Sequence, residues 1–527
     1  MQQSERRIRK LSLSAADHDH LQQARYRLEE AFRTASLPGI PSHAQVLIRR
    51  LELGPLPAHL PAHRLAERIT TLVRNQATQA VCVDEQSAPD APVVWFSDPL
   101  RPYQRLLLTL LQGGSTLAWY WRSLFPHRRL ESSPATIEWL FQEAVQTPLQ
   151  GLAPAHLMQT VIQADAFERL RPLITPMLVQ RLMREAGLSP VAATVTGGGA
   201  DDNVSIQAPD VTPPWRHALR RAMQVWGEED VRSRWLGWTA LVLRQPAWLT
   251  CGDILPRIDL GRWSRSWSTG WVESGGNQIP PNPPLRKGGM GEVAADGMQQ
   301  DGQPSLAAPA GSDAIASPAT PHSSPPFLKG GRGDLNAAPT QPETHPTDPG
   351  PVSEARFTPQ AGFALLIPVL QRLALPELLQ RNPCLIEHDL PRHLLWALAR
   401  RCRLGEHDPV WSLLHEFQPR TGVPLAQITL PEHWARLMPK RLAVASLMQL
   451  INTLQLLAGA YLRRYCRLSL RGLVHRPGRV SLTTTHWDVH FDLDQTDLRL
   501  RRMALDTDPG WVPWLGRVMQ FHYHSEG

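Results

Sequence analysis

The chain has 527 residues, 42% of them hydrophobic and 20% charged, with 49 prolines and 35 glycines. That length corresponds to two to four domains, and the composition excludes a collagen and a disulfide-stapled miniprotein. No run of 18 apolar residues occurs, which argues against a transmembrane helix. The net charge of +7 is uneven: residues 272–355 hold four Lys/Arg and nine Asp/Glu, so that stretch is −5 and the remainder +12. A basic excess suits nucleic acid, an anionic membrane or an acidic protein without choosing among them. Five scattered cysteines, none in a C-x-x-C pair, read as reduced thiols of a cytoplasmic protein. Arg6-Arg7 is followed by Asp17 to His20 rather than by an apolar stretch, so it does not read as an export signal.

The predicted architecture is mainly α. It comprises an N-terminal mostly helical module (1–271), a disordered Pro/Gly-rich linker (272–355), a second helical module (356–470) and a small antiparallel β subdomain (471–527). Along the first module, Ser14 followed by Asp17 caps a helix running to about Arg33. Ala44–Leu53 reads as a strand, and Leu65, Ile69, Leu72 and Val73 mark one helical face. Pro99–Leu111 is a leucine-rich helix closed by Gly113-Gly114. Further helices are expected over 134–146, 155–187 and 215–243, with a loop at Thr196–Pro214.

The linker has 15 Pro, 12 Gly and one aromatic residue in 84 positions, too little apolar side chain to offset its ordering entropy. It carries a repeated peptide, Pro283-Pro284-Leu285-Arg286-Lys287-Gly288-Gly289 and Pro325-Pro326-Phe327-Leu328-Lys329-Gly330-Gly331, each copy ending in a Gly-acid pair. The copies lack the G-K-[ST] ending of a phosphate-binding loop.

Past the linker, Leu447, Leu450, Leu454, Leu457 and Tyr461 step by three and four, as in a packed core helix or a coiled-coil seam. Val480–Thr484, Trp487–Leu493 and Arg517–Tyr523 read as strands, and Asp508-Pro509-Gly510 as a turn. In the middle strand Trp487, Val489 and Phe491 share one face while His486, Asp488 and His490 share the other, read as wet. With His522 these residues are the candidate metal ligands, since imidazole and carboxylate suit zinc or non-haem iron. A second candidate is the acid-free run Arg463, Arg464, Arg467, Arg471, Arg476 and Arg479, a possible nucleic-acid surface. Phe491-Asp492-Leu493-Asp494 is similar to the first motif of haloacid-dehalogenase-type phosphatases, but the 31 residues after Thr496 cannot supply that fold's parallel α/β domain and contain no Lys. Trp119-Tyr120-Trp121 and Trp511-Val512-Pro513-Trp514 are indole-rich segments. Trp511–Trp514 reads as a cap on the small sheet or a docking knob, and at least one of the three aromatics at 119–121 is expected to meet another domain or chain.

Two segments carry a resemblance. Val46-Leu47-Ile48-Arg49-Arg50-Leu51-Glu52-Leu53-Gly54 followed by the helix near Leu65–Val73, and then Leu107–Trp121, resemble the tape-measure-type proteins of contractile injection systems, in which a strand and helix precede a leucine-rich helix and a Gly-Leu-Pro-Trp-Trp-like element. Here Ala118 stands for the Pro and Tyr120 splits the Trp pair. The match spans about 45–125. It implies a noncatalytic assembly or scaffold protein of a phage-tail-like machine, with protein partners, no cofactor, and no catalytic or metal residue. The 84-residue linker interrupts what would otherwise be a continuous ruler, so an accessory role fits as well as a ruler. The alternatives are a nucleic-acid-binding regulator acting through the Arg463–Arg479 run and a metal-dependent enzyme at the C-terminal sheet.

Overall fold

The computed structural model describes residues 7–14, 17–35, 43–57, 60–84, 87–188, 206–252, 254, 257–269, 355–414, 417, 419, 423–425, 428–437 and 444–524. The expected linker, apart from Ala355, and its repeated peptide lie outside the described residues, as does most of the loop expected at Thr196–Pro214.

The fold is mainly helical, with a small C-terminal sheet. The opening helix α1 (His18–Thr34) is started by Asp17, whose carboxylate accepts from the His20 backbone N–H at 2.8 Å. Strand β1 (Gln45–Ile48) is shorter than expected, because the strand it pairs with begins at Val93, opposite Ile48, and leaves the residues beyond without a strand partner. Helix α2 (Ala62–Ala77) turns Leu65, Ile69 and Val73 onto Leu28 and Ala31 of α1, forming a small separate core. Strands β2 (Val81–Cys82) and β3 (Val93–Phe96) went unread in the sequence; β3 lies between β1, antiparallel, and β2, parallel. The leucine-rich helix α3 (Arg101–Leu111), the aromatic helix α4 (Trp119–Leu124), α5 (Pro134–Val145) and α6 (Leu152–Gln163) follow.

The long helices expected over 155–187 and 215–243 are each broken. Asp165 takes φ +52° after α6, and Gly227 takes φ +93° between Pro213–Trp226 and Val231–Arg244. The Leu447–Tyr461 helix buries all five seam residues, so it is a core helix and not a coiled-coil partner. It continues as a π-turn over Leu462–Cys466.

The C-terminal sheet is mixed. Its order is β4 (Arg356–Thr358), β5 (Gly478–Leu482), β6 (His486–Asp492), β8 (Arg517–His524), β7 (Gly510–Val512). The expected antiparallel arrangement holds for β4·β5, β5·β6 and β7·β8, but β6 and β8 run parallel. Residues 493–516 are long enough for the crossover that parallel neighbours require, and they include the short helix Leu498–Arg502. Part of the expected docking knob, Trp511-Val512, forms β7 itself.

Residues 1–271 and 348–527 form one compact unit, and the large hydrophobic core is continuous between them. Gly516, at φ +69°, sits so close to Pro246 that a Cβ there would lie 2.6 Å from its Cγ, and Arg392 donates to the Arg244 carbonyl at 3.1 Å. The halves read as separate modules in the sequence are therefore packed together. The same closeness recurs at Gly362, where a Cβ would lie 2.1 Å from the Leu473 carbonyl oxygen.

Two outcomes are expected. Gly362→Ala should lower stability by about 1–3 kcal/mol through forced overpacking in urea denaturation, whereas Gly405→Ala, which meets nothing within 4 Å, should change little. A chain cut at a protease site placed in 272–347 should run as one particle on size-exclusion chromatography, the two flanking halves co-eluting.

Candidate functional site: a buried histidine–aspartate ladder

The alternation in β6 places His486, Asp488 and His490 on one face, as the sequence reading requires. That face is not wet. His486 is 3% exposed and Asp488 is fully buried, because the segment entering β1 lies over them and supplies His43, itself 6% exposed. His43 Nδ1 contacts Asp488 Oδ2 directly, and His522, from the parallel neighbour β8, brings its Nε2 to 3.7 Å from Asp488 Oδ1. The parallel register sets His490 opposite His522, and their rings stack with centroids 4.7 Å apart. His490 Nδ1 and His524 Nε2 share a hydrogen bond of 3.0 Å. At the other end His486 stacks on His43 and bonds Thr485 Oγ1 at 2.9 Å through its Nδ1. Thr485 in turn touches Asp98, which caps α3 by accepting from the Leu100 and Arg101 backbone N–H groups.

Four of the predicted residues, His486, Asp488, His490 and His522, are thus brought together, and two contributors, His43 and Asp98, went unread. No local pattern could have found His43, which lies 445 residues from its partner. Among the described residues no group of three or more His, Cys, Asp or Glu is placed to hold a metal ion. The ring geometry accounts for this. The His490, His522 and His524 rings lie within 19–24° of parallel, so their in-plane lone pairs run side by side instead of converging on one point.

Electrostatically the ladder is one fixed negative charge among imidazoles. Burial by itself would raise the Asp488 carboxyl, but the hydrogen bond from His43 and the nearby His522 imidazole outweigh it and hold the group well below the usual carboxylate range. Burial pushes His486 down to about 4, against the pull of Asp488, and pushes His490 down to about 4, helped by His522. His524 is lowered by burial and by His522. Asp98 is raised by burial, with Arg101 opposing. The arrangement is a joint that ties the N-terminal segment to the last strands.

The other sequence candidates fall elsewhere. Arg463, Arg464, Arg467, Arg471 and Arg479 are exposed around the π-turn, while Arg476 is drawn inward to Asp497 at 2.7 Å. The Arg476 and Arg499 guanidiniums hold Asp497 far below its ordinary value despite burial. Asp492 and Asp494 of the phosphatase-like motif serve the end of β6, where Asp492 caps a short 3₁₀ turn (Leu493–Gln495). All five cysteines are free thiols.

The tryptophans overturn the expectation of indole-rich docking surfaces. Among the described residues none is exposed. Trp121 and Trp514 are each 2% exposed, Tyr120 is buried beside Phe96, and Trp119 lies half-buried with its indole N–H donating to the Ala91 carbonyl at 3.0 Å. The loop before β3 accepts the third aromatic that the core cannot, so no second chain is needed to cover it.

No protein-family model matches this chain, and no curated protein or solved structure matches it either.

Two measurements test the ladder. Asp488→Asn should cost about 2–3 kcal/mol, the scale of a lost charge-assisted hydrogen bond, and a double-mutant cycle with His43→Ala should show coupling between positions at opposite ends of the chain. His156, His486 and His490 all fall to about 4 when folded, so between about pH 6.5 and 4 the unfolded chain binds more protons than the folded one. Stability is therefore complete above the ordinary histidine value and is lost as the pH falls through that window. Asp98 and Glu387, raised in the fold, work in the opposite sense, two groups against these three and His524. The melting temperature should fall steadily from pH 6.5 to 4.5, and a flat profile would contradict the buried neutral imidazoles.

Proposed function

We propose that this chain is a noncatalytic assembly or scaffold component of a phage-tail-like contractile injection system, working through protein partners. One observation supports this reading above the others. The residues that carry the resemblance, 45–121, fold as strand β1, helix α2, leucine-rich helix α3 and aromatic helix α4, in the order that resemblance implies. Trp119 to Trp121 act there as the lock of that unit rather than as a docking knob: Trp121 packs on Phe96 of β3 at 6.1 Å and stacks on Phe125 at 6.3 Å. A partner is met instead by surface that remains polar and basic, and the +12 balance outside 272–355 favours acidic partners.

A second reading, a nucleic-acid-binding regulator, rests on the five exposed arginines between Arg463 and Arg479. One stacks beside an aromatic ring, Arg464 over Tyr465 at 5.7 Å, but such a surface carries charge without a row of bases' stacking partners.

Affinity purification of the full chain from cells that assemble intact particles is expected to recover sheath or tube proteins in stoichiometric amounts. Recovery of the monomer alone from such lysates would count against the assembly role. Retention of duplex or single-stranded nucleic acid at low salt, abolished by Arg463→Ala with Arg464→Ala and Arg467→Ala, would move the conclusion to the second reading.

A further inference from the structure

A cavity of about 210 Å³ lies where the two halves meet, walled on one side by α6 and the segment after Arg244, and on the other by the helix Leu390–Cys402 and the turn leading into β8. Its polar lining is unusual for a seam inside a hydrophobic core: His156, Asp389, Arg392, Thr484, Trp514 and Arg517. The geometry points to a binding site for a small oxyanion, a carboxylate or phosphate group, held chiefly by the Arg517 guanidinium.

The argument starts from what Arg517 lacks. It forms no ion pair or hydrogen bond through its side chain among the described residues, and its Nη1 is buried without an acceptor. Although the side chain as a whole is only half-buried, an Nη1 withdrawn from water without an acceptor is costly. Burial, and then the neighbouring Arg392, push its pKa down to about 10, so it remains charged at neutral pH. One further donor on the same lining is unsatisfied, the indole N–H of Trp514. His156 Nδ1 donates to Gln159 Oε1 at 3.3 Å and burial holds the ring neutral, pushing it down to about 4, so its Nε2 is an acceptor and takes no part in holding the anion. Arg392 is anchored by the Arg244 carbonyl and sits 3.7 Å from Asp389. With one carboxylate against two guanidiniums the lining has one positive charge in excess, which suits a monoanion. The volume is below the 300 Å³ or so at which drug-sized ligand pockets begin, and so fits an ion of a few heavy atoms.

The turn that builds the site also explains the Trp511–Gly516 segment. Gly516 permits the close approach to Pro246 that brings Trp514 and Arg517 against the N-terminal half. A bound anion would then sit across the seam, touching residues from both halves, and its binding would stabilise their docking. This goes beyond the assembly role and does not depend on it.

The test is thermal denaturation of the full chain at pH 7 and constant ionic strength, replacing chloride stepwise with inorganic phosphate or with acetate. A saturable rise in melting temperature is expected with at least one of them; the anion that produces it tells phosphate from carboxylate recognition. Arg517→Met, which breaks no ion pair, should hold or raise the melting temperature in chloride and abolish the rise. Trp514→Phe keeps an aromatic ring in place and removes one donor, so the anion concentration at half-saturation should increase about tenfold, the scale of one charge-assisted hydrogen bond. The proposal is overturned if neither anion gives a saturable rise. It also fails if the rise persists in Arg517→Met or, should that variant not fold, if Trp514→Phe leaves half-saturation unchanged.

Discussion

The structure turns on the cost of burying a charge. The Asp488 carboxylate is removed from water entirely, and a buried carboxylate persists only where donors surround it. The donor is His43, hundreds of residues earlier, with the His522 imidazole of the adjacent strand close by. The segment entering β1 is thereby committed to the last sheet, and the N-terminal elements that follow are built out from that attachment. The same arithmetic runs the other way at Arg517, where the matching charge is missing and the space for it is present.

The two sites divide the seam between the halves into a part where imidazoles pack on one another and on a carboxylate, and a part where a guanidinium lines a cavity. Along the ladder each imidazole finds a neighbour in His43, Thr485, Asp488 or another ring, and the result is a rigid joint. Past Thr484, in the cavity, polar atoms outnumber their partners. Arg517 is close enough to both to lower His486 as well as His156. Satisfied buried networks specify a unique arrangement, and unsatisfied ones mark places where something else binds.

The tryptophans illustrate how composition misleads about role. An indole is large enough to serve as a hot spot or as a core wedge, and sequence spacing does not separate the two. In this fold they are wedges: Trp235, Trp238, Trp248 and Trp263 pack the helical region, Trp434 donates its N–H to the Leu373 carbonyl, and Trp487 lies inside the sheet.

The sequence by itself determined the elements whose signal is local. The opening helix α1, the apolar stripe of α2, the leucine face of Leu447–Tyr461 and the two-residue alternation of β6 are each set within a few residues, by hydrogen-bond reach along one turn or by the period of one element. It also grouped His486, Asp488, His490 and His522 correctly, because strand alternation fixes which side chains share a face. What covers a face is not written in its own period. Only the tertiary structure decided that the polar side of β6 is dry, that β8 runs parallel to it, that His43 closes the ladder and that Arg517 and Trp514 meet His156 around a cavity. These depend on contacts between segments far apart in the chain, and their free energy arises only when both surfaces leave water together.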